Sequence, residues 1–168
     1  MGSIEQFLEQ VARRGSWFGG GSVAAFSAAL SAALLEKLVF HAPTARRIQR
    51  IRRSCIELVQ RDAVTFSRVI QAIRAGEHQA FRRTLKSATE VPCQVFEHAQ
   101  VIRAVCRAAQ RSVEPRFRSD LRCAMAVALA AGESARALID TNLAWLNDAR
   151  YAQAVHRRLR SAGHTRTR

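Results

Sequence analysis

The sequence predicts an all-α protein, a single-domain bundle of about six or seven helices with long central members. Three observations carry this. Only 8 Gly and 3 Pro punctuate 168 residues. Alanine, leucine, arginine and glutamine, all good helix formers, dominate the chain. Apolar residues recur at steps of three and four, and no strand-like alternation of useful length occurs. A hydrophobic share of 48% and a charged share of 24% fit a globular core rather than disorder.

In chain order, Ser3 and Gln6 form a capping-box pattern ahead of Ile4, Phe7, Leu8 and Val11, which predicts a short amphipathic helix over 4–13. Gly15 ends it. Gly19, Gly20 and Gly21 follow, with Ser22 positioned to cap an alanine-rich helix from Val23 to His41 that Pro43 halts. Ala24, Ala28 and Ala32, with Ser27 and Ser31, give that helix small faces. A neighbouring helix can approach them closely, at the centre of the bundle or at a subunit interface. Thr44 caps a third helix running to Gly76. Its apolar line is Ile48, Ile51, Cys55, Leu58, Phe66, Val69 and Ile73. A fourth helix covers Glu77–Thr89, Pro92 marks a kink or a break, and a further stripe (Val95, Ala99, Ile102, Cys106, Ala109) ends near Ser112. Ser119 or Asp120 caps the next long helix, from Leu121 through Gly132 toward Leu146. Asp148 opens a last one that ends at Gly163, before a basic tail (His164, Arg166, Arg168) expected to be disordered. The domain reading is one helical domain over 1–150, then a basic C-terminal helix and tail over 151–168.

The net charge of +14, nearly all of it arginine, suits polyanions or acidic small molecules. Cys55, Cys93, Cys106 and Cys123 form no CxxC pair and lie in apolar helical surroundings, which predicts reduced, buried thiols in a cytoplasmic protein. Val23–Leu35 is too short to span a bilayer. The five histidines have no metal-ligand spacing, so no metal is expected, and no HExxH or GxSxG pattern is present.

Two features point to chemistry. The glycine run feeding a helix N-terminus leaves backbone N–H groups free for an anion or a polar ligand edge, or simply lets two backbones pack closely. Asp62 fills one position of the third helix's apolar line, four after Leu58 and four before Phe66. A carboxylate there is either a general acid–base group or half of a buried ion pair with an arginine.

With these residues in order, the chain resembles the cyclodeaminase/cyclohydrolase family. That family comprises the helical C-terminal domain of formiminotransferase-cyclodeaminase and the stand-alone bacterial methenyltetrahydrofolate cyclohydrolase. The resemblance runs over about residues 3–150. It rests on Ile4-Glu5-Gln6-Phe7-Leu8, Gly19-Gly20-Gly21-Ser22-Val23-Ala24-Ala25, Asp62 with Phe66, Glu90-Val91-Pro92, Ser119-Asp120, and Asn142. It implies an all-α homodimer acting on folate, with no cofactor beyond tetrahydrofolate as substrate. It places Asp62 at the family's acidic position, as the proton-transfer residue. Gly19, Gly20, Gly21, Ser22, Glu90, Ser119, Asp120 and Asn142 are the expected substrate-binding residues. The chain departs from the family pattern at Phe18 (proline in the family), at Arg122 (glycine) and at Leu138 (asparagine). Two other readings stand beside this one. The first is a non-catalytic homodimer that binds a ligand or partner. The second, less favoured, is a nucleic-acid-associated protein using Arg46–Arg53 and the tail.

Overall fold

A computed structural model describes residues 3–163, so the tail residues His164, Arg166 and Arg168 lie outside the described residues. Six α-helices and one short 3₁₀ turn make up the ordered elements: α1 (Ile4–Ala12), α2 (Gly20–Leu38), α3 (Ala42–Arg74), α4 (His78–Ala109), the turn Pro115–Phe117, α5 (Arg118–Leu146) and α6 (Ala149–Gly163). The all-α expectation holds, and no strand occurs among the described residues.

The capping box of α1 forms as the sequence predicts. Ser3 Oγ accepts from the Gln6 N–H at 3.2 Å, and Gln6 Oε1 accepts from the Ser3 N–H at 3.0 Å. Other boundaries differ. α2 begins three residues earlier than Val23, with Gly19 in the N-cap position and no side-chain cap. Ser22 is therefore inside the helix and fully buried rather than a cap. α2 stops at Leu38, and Pro43 lies in the first turn of α3, where its missing N–H is harmless. His41, not Thr44, holds the N-cap position there, and its Nδ1 meets Thr44 Oγ1 at 2.8 Å.

The expected interruption at Pro92 is absent, and α4 is one helix of 32 residues. An interior proline costs an isolated helix about 3 kcal/mol. The flanking residues Leu85, Ala88, Val91, Val95 and Ala99 are all buried against neighbouring helices, and that burial outweighs the lost bond.

α2 is the central element, packed by α3, α4 and α5. Its small faces do what their spacing predicts. Ala24, Ala28 and Ala32 are buried, as are Ala124 and Ala128 on α5, and Ser31 Oγ donates to the Ala124 carbonyl at 2.6 Å. The α4–α5 approach is just as close, since a Cβ on Gly132 would lie 3.4 Å from that of Ala99. At 19 residues α2 is also long and apolar enough to cross a bilayer, which revises the length argument made on Val23–Leu35. It is instead the helix around which the others pack.

α6 docks on α4 through Val155 and Leu159, which are buried with Cys93, Ile139 and Leu143. Asp148 caps α6 as predicted, its Oδ1 accepting from the Tyr151 N–H at 3.0 Å. Arg158 completes the dock, bonding Glu97 through Nε and Nη2 and Glu90 through Nη1 at 2.6 Å. Removing it leaves two carboxylates facing one another. Arg158→Ala should lower stability by about 1 kcal/mol, a bidentate but partly solvated pair. In a chain of this size that is a melting-temperature drop of about 2–4 °C. An unchanged melting curve would show that apolar packing alone holds α6.

Candidate active site

The first turn of α2 and the middles of α3, α4 and α5 converge on a cavity of about 180 Å³. Gly19, Gly20 and Gly21 form one wall, Asp62, Phe66 and Val69 a second, Leu85, Ala88 and Pro92 a third, and Leu138, Thr141, Asn142 and Trp145 a fourth. Trp17, from the loop before α2, closes the rim. Trp17 and Phe66 meet edge to face with ring centroids 6.5 Å apart. Trp145 is half exposed at the same rim. Among the described residues, Asp62 is the only ionisable one in the lining. The cavity is smaller than the 300–1,000 Å³ that encloses a drug-sized ligand, so it fits one ring system of a larger molecule.

The carboxylate of Asp62 lies over the open N-terminus of α2. A methyl group on Gly21 would overlap it, with Oδ2 only 2.7 Å away and Oδ1 closer still. Glycine at 21 is thus required by the approach of a side chain from α3. Ser22 Oγ donates to Asp62 Oδ2 at 2.9 Å and also lies 3.1 Å from the Val59 carbonyl. One hydroxyl proton cannot serve both acceptors fully. When Asp62 is ionised, the hydroxyl turns to it. When Asp62 is protonated, its own O–H can donate to Ser22 Oγ, and the hydroxyl is released to Val59. Either protonation state is therefore accommodated without an orphaned group.

Burial raises the Asp62 pKa above the ordinary carboxylate value, and the Ser22 hydroxyl and backbone N–H partly offset that rise. The ion-pair alternative from the sequence is not realised, because no arginine or lysine pairs with Asp62 among the described residues. A carboxylate raised by desolvation beside a cavity is suited to accept and return a proton. Ser22→Ala removes the stronger of the two stabilising donors. The pH–rate profile of the variant should move to higher pH, because a donor that favours the ionised carboxylate is gone. A profile that stays in place would remove Ser22 from the proton-transfer unit.

The expected site residues divide into two groups. Gly19, Gly20, Gly21, Asp62 and Asn142 line this cavity, and Ser22 backs Asp62. The other three do not line it. Glu90 is taken by Arg158, Ser119 is exposed, and Asp120 pairs with Lys37 at 2.9 Å. Ser119 and Asp120 lie inside the first turn of α5 rather than capping it, because the turn at Pro115–Phe117 starts the chain coiling earlier. Of the departures from the family pattern, Phe18 packs on Phe7 edge to face in the core. Arg122 borders a separate groove beside the start of α5. Leu138 alone enters the cavity, above Gly20.

Sequence reasoning missed the aromatic rim. Phe66 was assigned to the core line, yet it is 39% exposed. Its spacing four after Asp62 puts it on the carboxylate's own stripe, and Leu138, Asn142 and Trp145 repeat at i, i+4, i+7 on α5. That shared register was the available signal.

Other reactive groups lie elsewhere. Burial pushes the thiols of Cys55 and Cys93 up to about 12 and that of Cys106 to about 11, so none is a thiolate at neutral pH. Cys123 is exposed, contrary to the expectation of four buried thiols. His98 bonds Ser54 at 3.0 Å between α3 and α4, but its neighbour Glu97 is engaged by Arg158, so no triad forms there. No three His, Cys, Asp or Glu residues gather as a metal-binding group among the described residues.

Against known protein families, residues 3–42 and 40–161 match formiminotransferase-cyclodeaminase. The chain belongs to that family. A crystal structure of formiminotetrahydrofolate cyclodeaminase from Thermotoga maritima matches this family member with a TM-score of 0.84, covering 95% of this chain and 87% of that one. Identity is 20%, so the likeness is one of fold. No curated protein matches the chain.

Proposed function

We propose that the chain is a folate-dependent one-carbon enzyme of the methenyltetrahydrofolate cyclohydrolase or formiminotetrahydrofolate cyclodeaminase type, with Asp62 as the proton-transfer residue. The observation that carries this reading is the Asp62 carboxylate, tethered by Ser22 in the wall of an aromatic-rimmed cavity on a fold shared with a formiminotetrahydrofolate cyclodeaminase. Trp17, Phe66 and Trp145 offer faces for a flat pterin ring. The rest of the folate extends past the rim, where a +14 surface favours its carboxylates.

In hydrolysis, Asp62 takes a proton from water as the C–O bond forms at the methenyl carbon. It returns that proton to N5 as the C–N5 bond breaks. The hydroxyl proton of the tetrahedral intermediate leaves to solvent, and the formyl group remains on N10. In deamination, N10 attacks the protonated formimino carbon, Asp62 carries the N10 proton to the departing nitrogen, and ammonia leaves. Each route needs one group that accepts and then donates a single proton. The α2 N–H groups of Gly20 and Gly21, which have no acceptor within the helix, add polar donors beside the reacting carbon. Following the family, the working form is a homodimer.

The test is direct. Purified protein is mixed with 5,10-methenyltetrahydrofolate, and separately with 5-formiminotetrahydrofolate, and methenyl absorbance is followed. Loss of absorbance in the first mixture, or its gain in the second, faster than in buffer supports the reading. No acceleration in either would reject it.

A further inference from the structure

A second cavity, of about 460 Å³, lies in the groove between the C-terminal end of α4 and the first half of α5. It is larger than the Asp62 cavity and falls within the range that encloses a whole small ligand. Its lining is also of a different kind. Cys106 and Leu121 are buried, and Met125 and Leu129 continue that apolar surface outward, Leu129 being 39% exposed. Among the described residues, no aromatic ring and no carboxylate lines it. Burial pushes the Cys106 thiol up to about 11, so the apolar wall carries no negative charge at neutral pH.

The polar members of the lining are Gln110, Arg118 and Arg122, all exposed. The side chains of Arg118 and Arg122 make no ion pair and no hydrogen bond among the described residues. The acids nearest them in sequence are engaged elsewhere, Glu114 with Arg116 and Asp120 with Lys37. Arg118 and Arg122 stand at i, i+4 on α5, a spacing at which like charges repel. They also occupy its first turns, where the helix dipole disfavours cations. A single anion held between them relieves both costs.

We propose that this groove is a binding site for a medium-chain carboxylate, its acyl chain lying along Leu121, Met125 and Leu129 and its head group held by Arg118 and Arg122. The planar fork of arginine takes a carboxylate through two parallel N–H bonds. Aliphatic and thioether side chains adapt to a flexible chain, whereas the aromatic rim of the Asp62 cavity suits a flat ring. The site is separate from the folate reading and is tested without it.

The test takes the two ends of the ligand apart. Decanoate carries chain and charge, decanol the chain alone, and acetate the charge alone. Their dissociation constants are measured by isothermal titration calorimetry on three proteins. These are the wild type, the double variant Arg118→Gln with Arg122→Gln, and Ala126→Trp, which fills the groove. The wild type should bind decanoate about tenfold more tightly than decanol, as hydrogen bonds to a charged group imply. Acetate should bind more weakly than either. In the double variant decanoate should fall to the level of decanol, and in Ala126→Trp both should be lost. All three substituted residues are exposed, so melting temperatures should stay near that of the wild type. Equal affinity for decanoate in the wild type and the double variant would overturn the proposal. So would acetate bound as tightly as decanoate, which would mean an adventitious ion only, or no binding of decanoate to the wild type. A lower mass by light scattering for Ala126→Trp than for the wild type, with decanoate bound by neither, would assign the groove to a second copy of the chain and overturn it as well.

Discussion

Asp62→Asn abolishes turnover and leaves the fold intact: the expected loss is about 10²–10⁴-fold, the range of a single general acid–base group. The fold should survive because the asparagine oxygen can still accept from the Ser22 hydroxyl at the N-terminus of α2. The stability sign can be worked out as well. The Asp62 pKa is raised in the folded chain by burial, so the folded state holds its proton more tightly than the unfolded chain does. The favourable contribution is then fully present below the ordinary carboxylate value of 3.8 and is lost as pH rises through the folded-state value. Above that folded-state value the wild type carries the cost of a desolvated charge, and the asparagine variant does not. Melting curves at pH above the folded-state value should therefore show the variant as stable as the wild type or more so. The pH-dependent decline between acid and neutral should be reduced in the variant. A variant that retains full turnover would clear Asp62 of a catalytic role. One that unfolds would mean that the carboxylate serves structure first.

Gly21→Ala should be nearly as damaging to turnover, for a different reason. Alanine is the better helix former by about 0.5–1 kcal/mol, so propensity alone predicts a gain in stability. The added methyl, however, would occupy the space of the Asp62 carboxylate. That carboxylate ends a short side chain tethered by Ser22, so it must rotate away and give up its hydrogen bond. Displacement of a catalytic group by about 1 Å is enough for a loss on the order of 10²-fold. Rate and melting temperature should thus part company. Full activity in Gly21→Ala would show that the carboxylate has room to move without consequence. Gly20→Ala gives the contrast. Its methyl would meet only Leu138 at an ordinary 3.5 Å, so its effect on rate should be far smaller than that of Gly21→Ala.

The fold was legible because helix signals in this chain are local and redundant. The Ser3–Gln6 capping box, the Asp148 cap and the alanine rows of α2 each acted on neighbouring residues, and each appears as read. Misreadings arose where tertiary packing overruled a local breaker. Pro92 would end an isolated helix, but buried residues on both sides hold α4 together. Ser22 has the identity of a cap, but three glycines allowed the helix to start earlier and turned its hydroxyl to α3. The site was half legible. A charged residue in an apolar stripe marked Asp62, and the glycine run marked the opposite wall. The aromatic rim could not be seen without knowing that the 62–69, 85–92 and 138–145 segments face one cavity. Glu90, Ser119 and Asp120 lie outside this cavity, where Glu90 pairs with Arg158, Asp120 pairs with Lys37, and Ser119 sits in the first turn of α5.

The central claim is that the reacting carbon of a folate sits against Asp62. The most direct measurement is a crystal structure of Asp62→Asn with 5,10-methenyltetrahydrofolate bound, since the slow variant preserves its substrate. The account predicts the pterin ring among Trp17, Phe66 and Trp145, with the methenyl carbon no more than one water molecule from the side chain at position 62. A folate bound elsewhere, such as beside Ser119 and Asp120 with the cavity filled only by solvent, would contradict it.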